Sequence, residues 1–582
     1  MVLQGAAIGA RHTRRIDTRY NRSLGGASPP VPKILMTASR LIAKILKLEG
    51  IEQVFCFPFT PIVESLADED IPIIVARQER VAENMADGFS RTTFGKRLGA
   101  VTVQHAAGAE NAFAGIAHAY TDSSPLLFLP GHPGRSRVGV PSVFDATRNY
   151  EATTKWADRI PSANDVPNRM RRAFTALRTG RPGPVLVEIP VDVAAEEFSG
   201  EFDYRPVAPV RTAPDPDAIR EAAKLLVNAE WPVIWAGQGV LYAQAWDELQ
   251  ELAELLAAPV LTTLLGKSAF NERHPLALGA GGLSETAMIG DALGRCDAVF
   301  ALGASLTKTV FAPNLPVDRR IVHATIDPRD LNKDCVADVP ILGDAQLVLL
   351  HLLEEVRSQT SGTGRPGRQA VEQHIGKVRQ TWKARWEPKL TSDEVPLNPY
   401  RVIGDFMKVV NPADAIVTHD SGNPRDQLAP LYEAVTPRGY IGWGHSTQLG
   451  FSLGVSMGAK MAAPDKIVAN FLGDAAFGMV GMDVETAVRE KIPILTMLLN
   501  NSAMGNYDKY IPKAVEKYGT KYLSGNYSEV ARGLGAYTER IEQPGDIIPA
   551  IERAIIQNQE GKPALLEFIT REEPDMAIPK KN

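Results

Sequence analysis

Gly473-Asp-Ala-Ala-Phe-Gly-Met-Val-Gly-Met-Asp-Val-Glu-Thr-Ala-Val-Arg-Glu-Lys-Ile-Pro-Ile-Leu-Thr-Met-Leu-Leu-Asn-Asn501 is the stretch that decides how this chain is built. The apolar run Ile467 to Leu472 delivers Gly473 and Asp474 at a strand end. A helical pattern follows through Met482, Thr486 and Val488, Pro493 closes it, and a second apolar run, Ile494 to Leu499, ends on Asn500 and Asn501. Two parallel strands joined by a helix place both polar tips at the carboxyl ends of neighbouring strands, where open α/β sheets bind ligands. One carboxylate and one amide oxygen, completed by water and further oxygen ligands, suit a hard cation such as Mg²⁺. The plainer alternative is an ordinary strand–helix–strand unit whose Asp caps its helix.

With 582 residues the chain is too long for one core. Its apolar content of 44% and charged content of 23% are those of a globular protein. A net charge of −5 gives no electrostatic reason to expect nucleic acid. No apolar stretch is long enough to span a bilayer. The three cysteines, Cys56, Cys296 and Cys335, lie at no metal-ligand spacing, which fits a reduced, cytoplasmic setting. Residues 1–36 are set apart: Arg11, Arg14, Arg15, Arg19 and Arg22 stand against the single acid Asp17. They read as a disordered extension or an upstream start, with a transit-peptide-like leader as the alternative.

Three α/β domains of doubly wound parallel-sheet type are expected. Over 37–193, apolar strands alternate with helices, and Ile71 to Ala76 runs directly into Arg77-Gln-Glu79. The Glu-, Pro- and Arg-rich segment 194–216 reads as a linker. Over 217–357, Pro232-Val-Ile-Trp-Ala-Gly-Gln-Gly239 opens a Rossmann-like layer. A Gly/Ser/Thr-rich stretch, 358–368, follows. The third domain, 396–568, carries the opening stretch, and 569–582 is a tail.

The opening stretch resembles the diphosphate-binding signature of thiamine-diphosphate enzymes, Gly-Asp-Gly, a spacer, then Asn-Asn. The 27 residues from Asp474 to Asn501 match that spacing, while Ala475 stands in place of the third-position Gly. Gly50-Ile-Glu-Gln-Val-Phe55, Arg77-Gln-Glu79, Asp122-Ser-Ser-Pro-Leu126, Arg181-Pro-Gly-Pro-Val185 and Gly266-Lys-Ser268 resemble landmarks of the decarboxylase and acetolactate-synthase superfamily over nearly the whole chain. The resemblance implies a pyrimidine-binding domain, a central Rossmann-like domain and a diphosphate-binding domain, thiamine diphosphate and Mg²⁺ as cofactors, and a homodimer or homotetramer. It implies that Glu79 bonds the aminopyrimidine ring nitrogen and promotes the imino tautomer that deprotonates C2. Leu449, in Gly444-His-Ser-Thr-Gln-Leu-Gly-Phe451, would wedge the cofactor into its V shape. Ser421, Gly422, Asn423, Gln448, Gly473, Asp474, Ala475, Ala476 and Asn501 would line the cofactor. Asp474, Asn501 and the main-chain oxygen of Ala503 would hold the metal.

Within the superfamily, the Phe-Gln-Glu and Gly-Gln-Val segments of acetolactate synthases are replaced here by Phe144-Asp-Ala146 and Gly131-His132-Pro133, and a Gly-Pro-Gly loop by Ala106-Ala107-Gly108. No adjacent His-His pair of the simple decarboxylases is present. The central domain keeps Gly237-Gln-Gly239 and Asp327-Pro-Arg329, a crevice suited to ADP or a CoA nucleotide, whereas the arginine-rich flavin segment expected for FAD is not recognisable. Arg135, Arg137, Lys308, Arg329 and Lys333 are available for phosphates. These features favour a 2-hydroxyacyl-CoA lyase working on an acyl-CoA, reversible as a synthase, with formyl-CoA and an aldehyde or ketone as products. The alternatives are an acetolactate-synthase-like carboligase of 2-oxo acids and a catalytically inactive regulatory subunit. Polar groups assisting at the substrate would be Asn506 and Tyr507, with His105, His132 and His445 as further candidates that could carry a proton.

Overall fold

The computed structural model describes residues 36–57 and 59–578. The segment before Met36, and Pro579 to Asn582 at the end of the tail, lie outside the described residues. The chain folds into three six-stranded sheets, every strand pairing parallel to its neighbours. The first sheet runs in spatial order Ile73–Val75, Val54–Cys56, Gly99–Val103, Leu126–His132, Val185–Pro190, Trp156–Arg159. The third runs Tyr440–Ile441, Ala415–His419, Ile467–Gly473, Leu495–Asn500, Ala564–Ile569, Tyr537–Ile541. Numbered within each domain, both follow the same order, 2-1-3-4-6-5. The central sheet instead runs Ala277–Gly281, Val260–Thr263, Pro232–Ala236, Ala298–Leu302, Arg320–Thr325, Val339–Leu342, the 3-2-1-4-5-6 order of a dinucleotide-type fold. The inner strands of each sheet are buried on both faces, which is why they appear in sequence as short continuous apolar runs, whereas the edge strands Trp156–Arg159, Val339–Leu342 and Tyr537–Ile541 are partly exposed.

The opening unit folds as a parallel strand–helix–strand, with Gly473 beside Leu499 in the register. Its helix differs from the single one expected. It breaks into Asp474–Val480, a tight turn Gly481–Asp483, and Val484–Arg489. The turn is fixed from outside: the Asp483 carboxylate accepts from the Arg77 amide of the first domain at 2.7 Å and from Thr486 Oγ1 at 2.9 Å. The long helix Arg368–Leu390, which buries Ile375, Trp382 and Trp386, escaped the sequence reading because so few of its positions are apolar. The segment read as a linker at 194–216 contains a short strand, Glu197–Phe198, antiparallel to Met36–Thr37. Among the described residues no helix is long and apolar enough to cross a membrane. Cys56, Cys296 and Cys335 are all free.

First and third domains meet through two helices, Glu79–Thr92 and Phe451–Ala462, whose backbones nearly touch. A β-carbon on Gly88 would stand 2.2 Å from the Val455 carbonyl oxygen, and one on Gly458 would stand 1.9 Å from that of Met85. Only glycine fits at these two positions.

All three domains converge on Asp122, which is fully buried. Its carboxylate faces His118 Nε2 at 3.2 Å and Arg91 Nη2 at 3.5 Å in its own domain. It accepts from the backbone amides of Gly444 at 3.2 Å and His445 at 3.1 Å in the third domain. Gln238 of the central domain donates to its main-chain oxygen at 2.8 Å. Burial alone would raise this carboxyl, but His118, Arg91 and His445 together hold it well below the ordinary carboxylate range. Replacing Asp122 by Ala should therefore leave the two loop amides of Gly444 and His445 without an acceptor, while Arg91 keeps its paired hydrogen bonds to Asp87. The expected loss is about 1–3 kcal/mol, read as a lower urea midpoint. An Asp122→Ala variant as stable as wild type would show that the three-domain junction does not depend on this carboxylate.

Candidate active site

The cradle lies at the carboxyl edge of the third sheet. Strand Ala415–His419 runs into Asp420, and strand Ile467–Gly473 into Asp474. Strand Leu495–Asn500 leads into Asn501. Asp420 organises the approach. Its carboxylate accepts from the amides of Ser421 (2.8 Å), Gly450 (2.9 Å) and Ser452 (3.0 Å), and from Ser452 Oγ at 2.8 Å. One buried acid thereby ties the Ser421-Gly422-Asn423 turn to the turn carrying Gln448 and Leu449. Gly422, at φ +83°, takes a backbone conformation that favours glycine. Asn423 lies against the loop after Asn501, where a β-carbon on Gly505 would meet its Nδ2 at 2.5 Å. Leu449 is half-buried against the core shared by the first and third domains.

Asp474 is buried at 2% exposure. Its Oδ1 accepts from the Ala475 amide at 2.8 Å, whereas Oδ2 has no partner in the protein. Burial pushes the carboxyl up to about 6, against the lowering effect of the nearby amides of Ala475, Ser502 and Ala503. The Asn501 side-chain oxygen accepts from the Ala503 amide at 3.1 Å, and so folds the turn back toward Asp474. An unpartnered buried carboxylate oxygen beside an amide oxygen and a main-chain turn is a donor set short of a cation. Ala475, which replaces the expected Gly, is half-buried and causes no break in the helix start. Ala476 is buried beneath it. Both amide atoms of Gln448 are likewise buried without partners. These orphaned groups fit thiamine diphosphate and Mg²⁺: Asp474, Asn501 and Ala503 would hold the metal, and Gln448 with the Ser421–Asn423 turn would meet the cofactor.

Glu79 opens the helix Glu79–Thr92 and is buried at 7% exposure. Its Oε2 accepts from Asn111 Nδ2 at 3.3 Å, and Gly108 lies close to its Oε1. The adjacent Gln78 donates to the Met479 carbonyl at 3.0 Å, so this end of the helix abuts the unit begun by Asp474.

The substrate candidates separate. His132 is buried and its Nδ1 accepts from the Gly134 amide at 3.2 Å, which leaves the proton on Nε2. Burial lowers it, so it is neutral at pH 7. His105 is near enough to act on His132 electrostatically, and a β-carbon on Gly131 would touch the His105 backbone at 3.3 Å. His445 is half-buried, lowered by burial, and lines a different space. Asn506, at φ +67°, and Tyr507, 43% exposed, sit on the excursion that follows the metal turn.

The space beside His445 is a cavity of about 1070 Å³ among the three domains, lined by Arg181, Gly239, Gly303, Lys308 and Asp330 among others. It opens at the switch point of the central sheet, between Pro232–Ala236 and Ala298–Leu302. Of the expected phosphate-binding cations, Lys308 lines it. Arg329 is paired with Asp327 at 2.8 Å and Lys333 with Asp330 at 3.0 Å. Arg135 pairs with Asp192 on the exposed surface of the first domain, and Arg137 stands exposed in the same loop. Sequence reading named Asp122 only as part of a landmark motif, with no role at the junction, and missed Asp420. A hint for Asp420 was present: it follows the apolar run Ala415 to Thr418 and precedes a Ser-Gly pair, the same strand-end position as Asp474.

Replacing Asp474 by Asn should abolish Mg²⁺-dependent binding of thiamine diphosphate in a calorimetric titration. A carboxyl raised by burial destabilises the fold once the pH exceeds its unfolded value. The cofactor-free variant should therefore melt at or above the wild-type temperature at pH 8. Undiminished binding would remove Asp474 from the metal site.

Three family descriptions match the chain in succession: "Thiamine pyrophosphate enzyme, N-terminal TPP binding domain" over residues 36–156, "Thiamine pyrophosphate enzyme, central domain" over 219–352, and "Thiamine pyrophosphate enzyme, C-terminal TPP binding domain" over 420–568. A probable acetolactate synthase large subunit of Methanocaldococcus jannaschii is 32% identical, across 94% of this chain and 93% of its own. The acetolactate synthase large subunit of Corynebacterium glutamicum is 31% identical, across 92% and 87%. The large subunit of acetolactate synthase isozyme 3 of Escherichia coli is 28% identical, across 90% and 93%. With three family descriptions in succession and likeness along nearly its full length, the chain belongs to the thiamine-diphosphate-dependent enzymes, in their acetolactate-synthase-like group.

Proposed function

We propose that this enzyme is a carboligase that acts on 2-oxo acids. The observation that carries the reading is the buried Asp474–Asn501–Ala503 cradle in a chain whose relatives, across nine-tenths of its length, bear the name acetolactate synthase. They shift the preference from the CoA-thioester lyase favoured by the sequence to the carboligase that stood beside it. Thiamine diphosphate, held by Asp474, Asn501, Ala503 and the turns carrying Gln448 and Ser421–Asn423, would supply a nucleophilic carbon and an electron sink for such a reaction.

The chain's own groups set the conditions for this chemistry. Glu79, buried at a helix start where negative charge is favoured, accepts from Asn111 and manages a proton at the cofactor's ring nitrogen. Leu449 offers an apolar flank held in place through Asp420. His132 and His445, lowered by burial, present neutral imidazole nitrogens that can give or take a hydrogen bond at the substrate.

The active unit in this reading is at least a homodimer. Phe59 (73% exposed) and Phe113 of the first domain, with Met479 (48%) and Met482 (49%) of the third, leave large apolar side chains uncovered, and a second copy is the partner that suits them. The large cavity is assigned to a nucleotide, of ADP or CoA type. It also sustains the second reading, a 2-hydroxyacyl-CoA lyase, because it connects Lys308 to His445.

Purified protein with thiamine diphosphate and Mg²⁺ is expected to release carbon dioxide from pyruvate and form acetolactate. Glu79→Gln should lower the rate by about 10²–10⁴-fold without loss of fold. Silence on pyruvate together with formyl-CoA release from a 2-hydroxyacyl-CoA would transfer the function to the lyase reading.

A further inference from the structure

The helix that begins at Glu79 carries a second acid one turn along. Glu83 has no exposed surface, and neither of its carboxyl oxygens has a hydrogen-bond partner in the protein. Its side chain lies along the helix Phe113–Thr121, where a β-carbon on Gly115 would stand 2.2 Å from Oε2. The Ile116 amide is close by but outside hydrogen-bond geometry. The ionisable groups that face it are Glu79 on its own helix and the Tyr150 phenol, whose O–H is already given to the Ala109 carbonyl at 2.5 Å. No cation is among the groups acting on it.

A carboxylate cannot persist in such a place, since burial without a partner penalises the charged form heavily. Burial, and then the neighbouring Glu79, raise Glu83 well above the ordinary carboxyl range. A neutral carboxylic acid has one O–H to donate. Residues four apart on a helix have β-carbons about 5–6 Å from one another, within reach of two glutamate side chains turned together. Glu79 has one donor in the structure, Asn111, on Oε2.

We propose that Glu83 is a positioning residue for Glu79: a permanently neutral acid whose O–H is donated to the Glu79 carboxylate. Glu79 then keeps its negative charge, and the proton it shares with the ring nitrogen of bound thiamine diphosphate rests on the ring. Glu83 loses no proton in this arrangement; the only proton that moves passes between Glu79 and the ring. The inference depends on Glu79 being the partner of that ring nitrogen.

Two measurements test it. In cofactor-free protein, a carboxyl with a raised folded pKa binds its proton more tightly in the folded than in the unfolded state, so its contribution to stability falls as the pH rises above its unfolded value. The melting temperature of wild type should therefore fall relative to that of Glu83→Gln between pH 5 and pH 8. This corresponds to a ratio of unfolding constants that grows by up to about tenfold per pH unit. A difference that does not vary with pH would overturn the neutral acid. In the holoenzyme at pH 6, solid-state ¹⁵N NMR of thiamine diphosphate labelled at the ring nitrogen should give a protonated signal for wild type. Glu83→Gln, whose amide still donates, should retain it, while Glu83→Leu should shift it toward the unprotonated position. A signal that responds to Glu79→Gln but not to Glu83→Leu would defeat this proposal alone. A signal indifferent to Glu79→Gln would defeat the Glu79 assignment beneath it.

Discussion

The arrangement of this enzyme depends on one buried carboxylate, that of Asp122. A charge at that depth is sustained only if several donors converge on it. Here the donors come from separate regions: Arg91 and His118 from the first domain, and the Gly444 and His445 amides from the third. The same residue's main-chain oxygen takes the Gln238 amide of the central domain. Satisfying one acid therefore fixes the start of the loop that runs to Leu449 and sets His445 at the mouth of the cavity. Asp420 repeats the device at the other end of that loop, through Gly450 and Ser452. The turn carrying Gln448 and Leu449 is held at both ends by buried carboxylates.

A division of labour follows between acids that are satisfied and acids that are not. Asp122 and Asp420 have their hydrogen bonds supplied by the fold. Asp474 and Glu83 do not. These two unsatisfied acids lie at the strand end that opens the Asp474–Asn501 unit and one helical turn beyond Glu79. Polar groups buried without partners are expensive, so their presence points to a ligand or a proton that completes them.

The legibility of these features in the sequence follows from their range. The Asp474–Asn501 unit could be read because its meaning is local: two apolar runs, a helix and two polar tips within one supersecondary element. Strand positions in the first and central domains were legible for the same reason; the strands Ile73–Val75 and Pro232–Ala236 lie within the runs Ile71–Ala76 and Pro232–Gly239. Glu79 could be assigned only by resemblance, since nothing in its immediate neighbours distinguishes it from any acid in a first helical turn. Asp122 was visible as part of a motif, but its role depends on amides more than three hundred positions away. Glu83 gave no signal at all, because its burial is created by Gly115 and Tyr150, which are remote in sequence. The break at Gly481–Asp483 was equally hidden: it exists because Arg77 reaches across from another domain.

The near-contact of the two helices at Gly88 and Gly458 also bears on how far this chain can diverge. Any side chain at either position would have to push a main chain aside, and the displacement would pass directly to the helix that mounts Glu79 and Glu83. The residues around the reacting space face no such barrier: Ala106, Ala475 and His445 belong to loops and helix starts whose side chains can change while the frame holds. Innovation in substrate choice is thus available to a lineage carrying this fold by exchanging loop residues. The spacing between acid and wedge is inherited as a unit, closed to gradual revision.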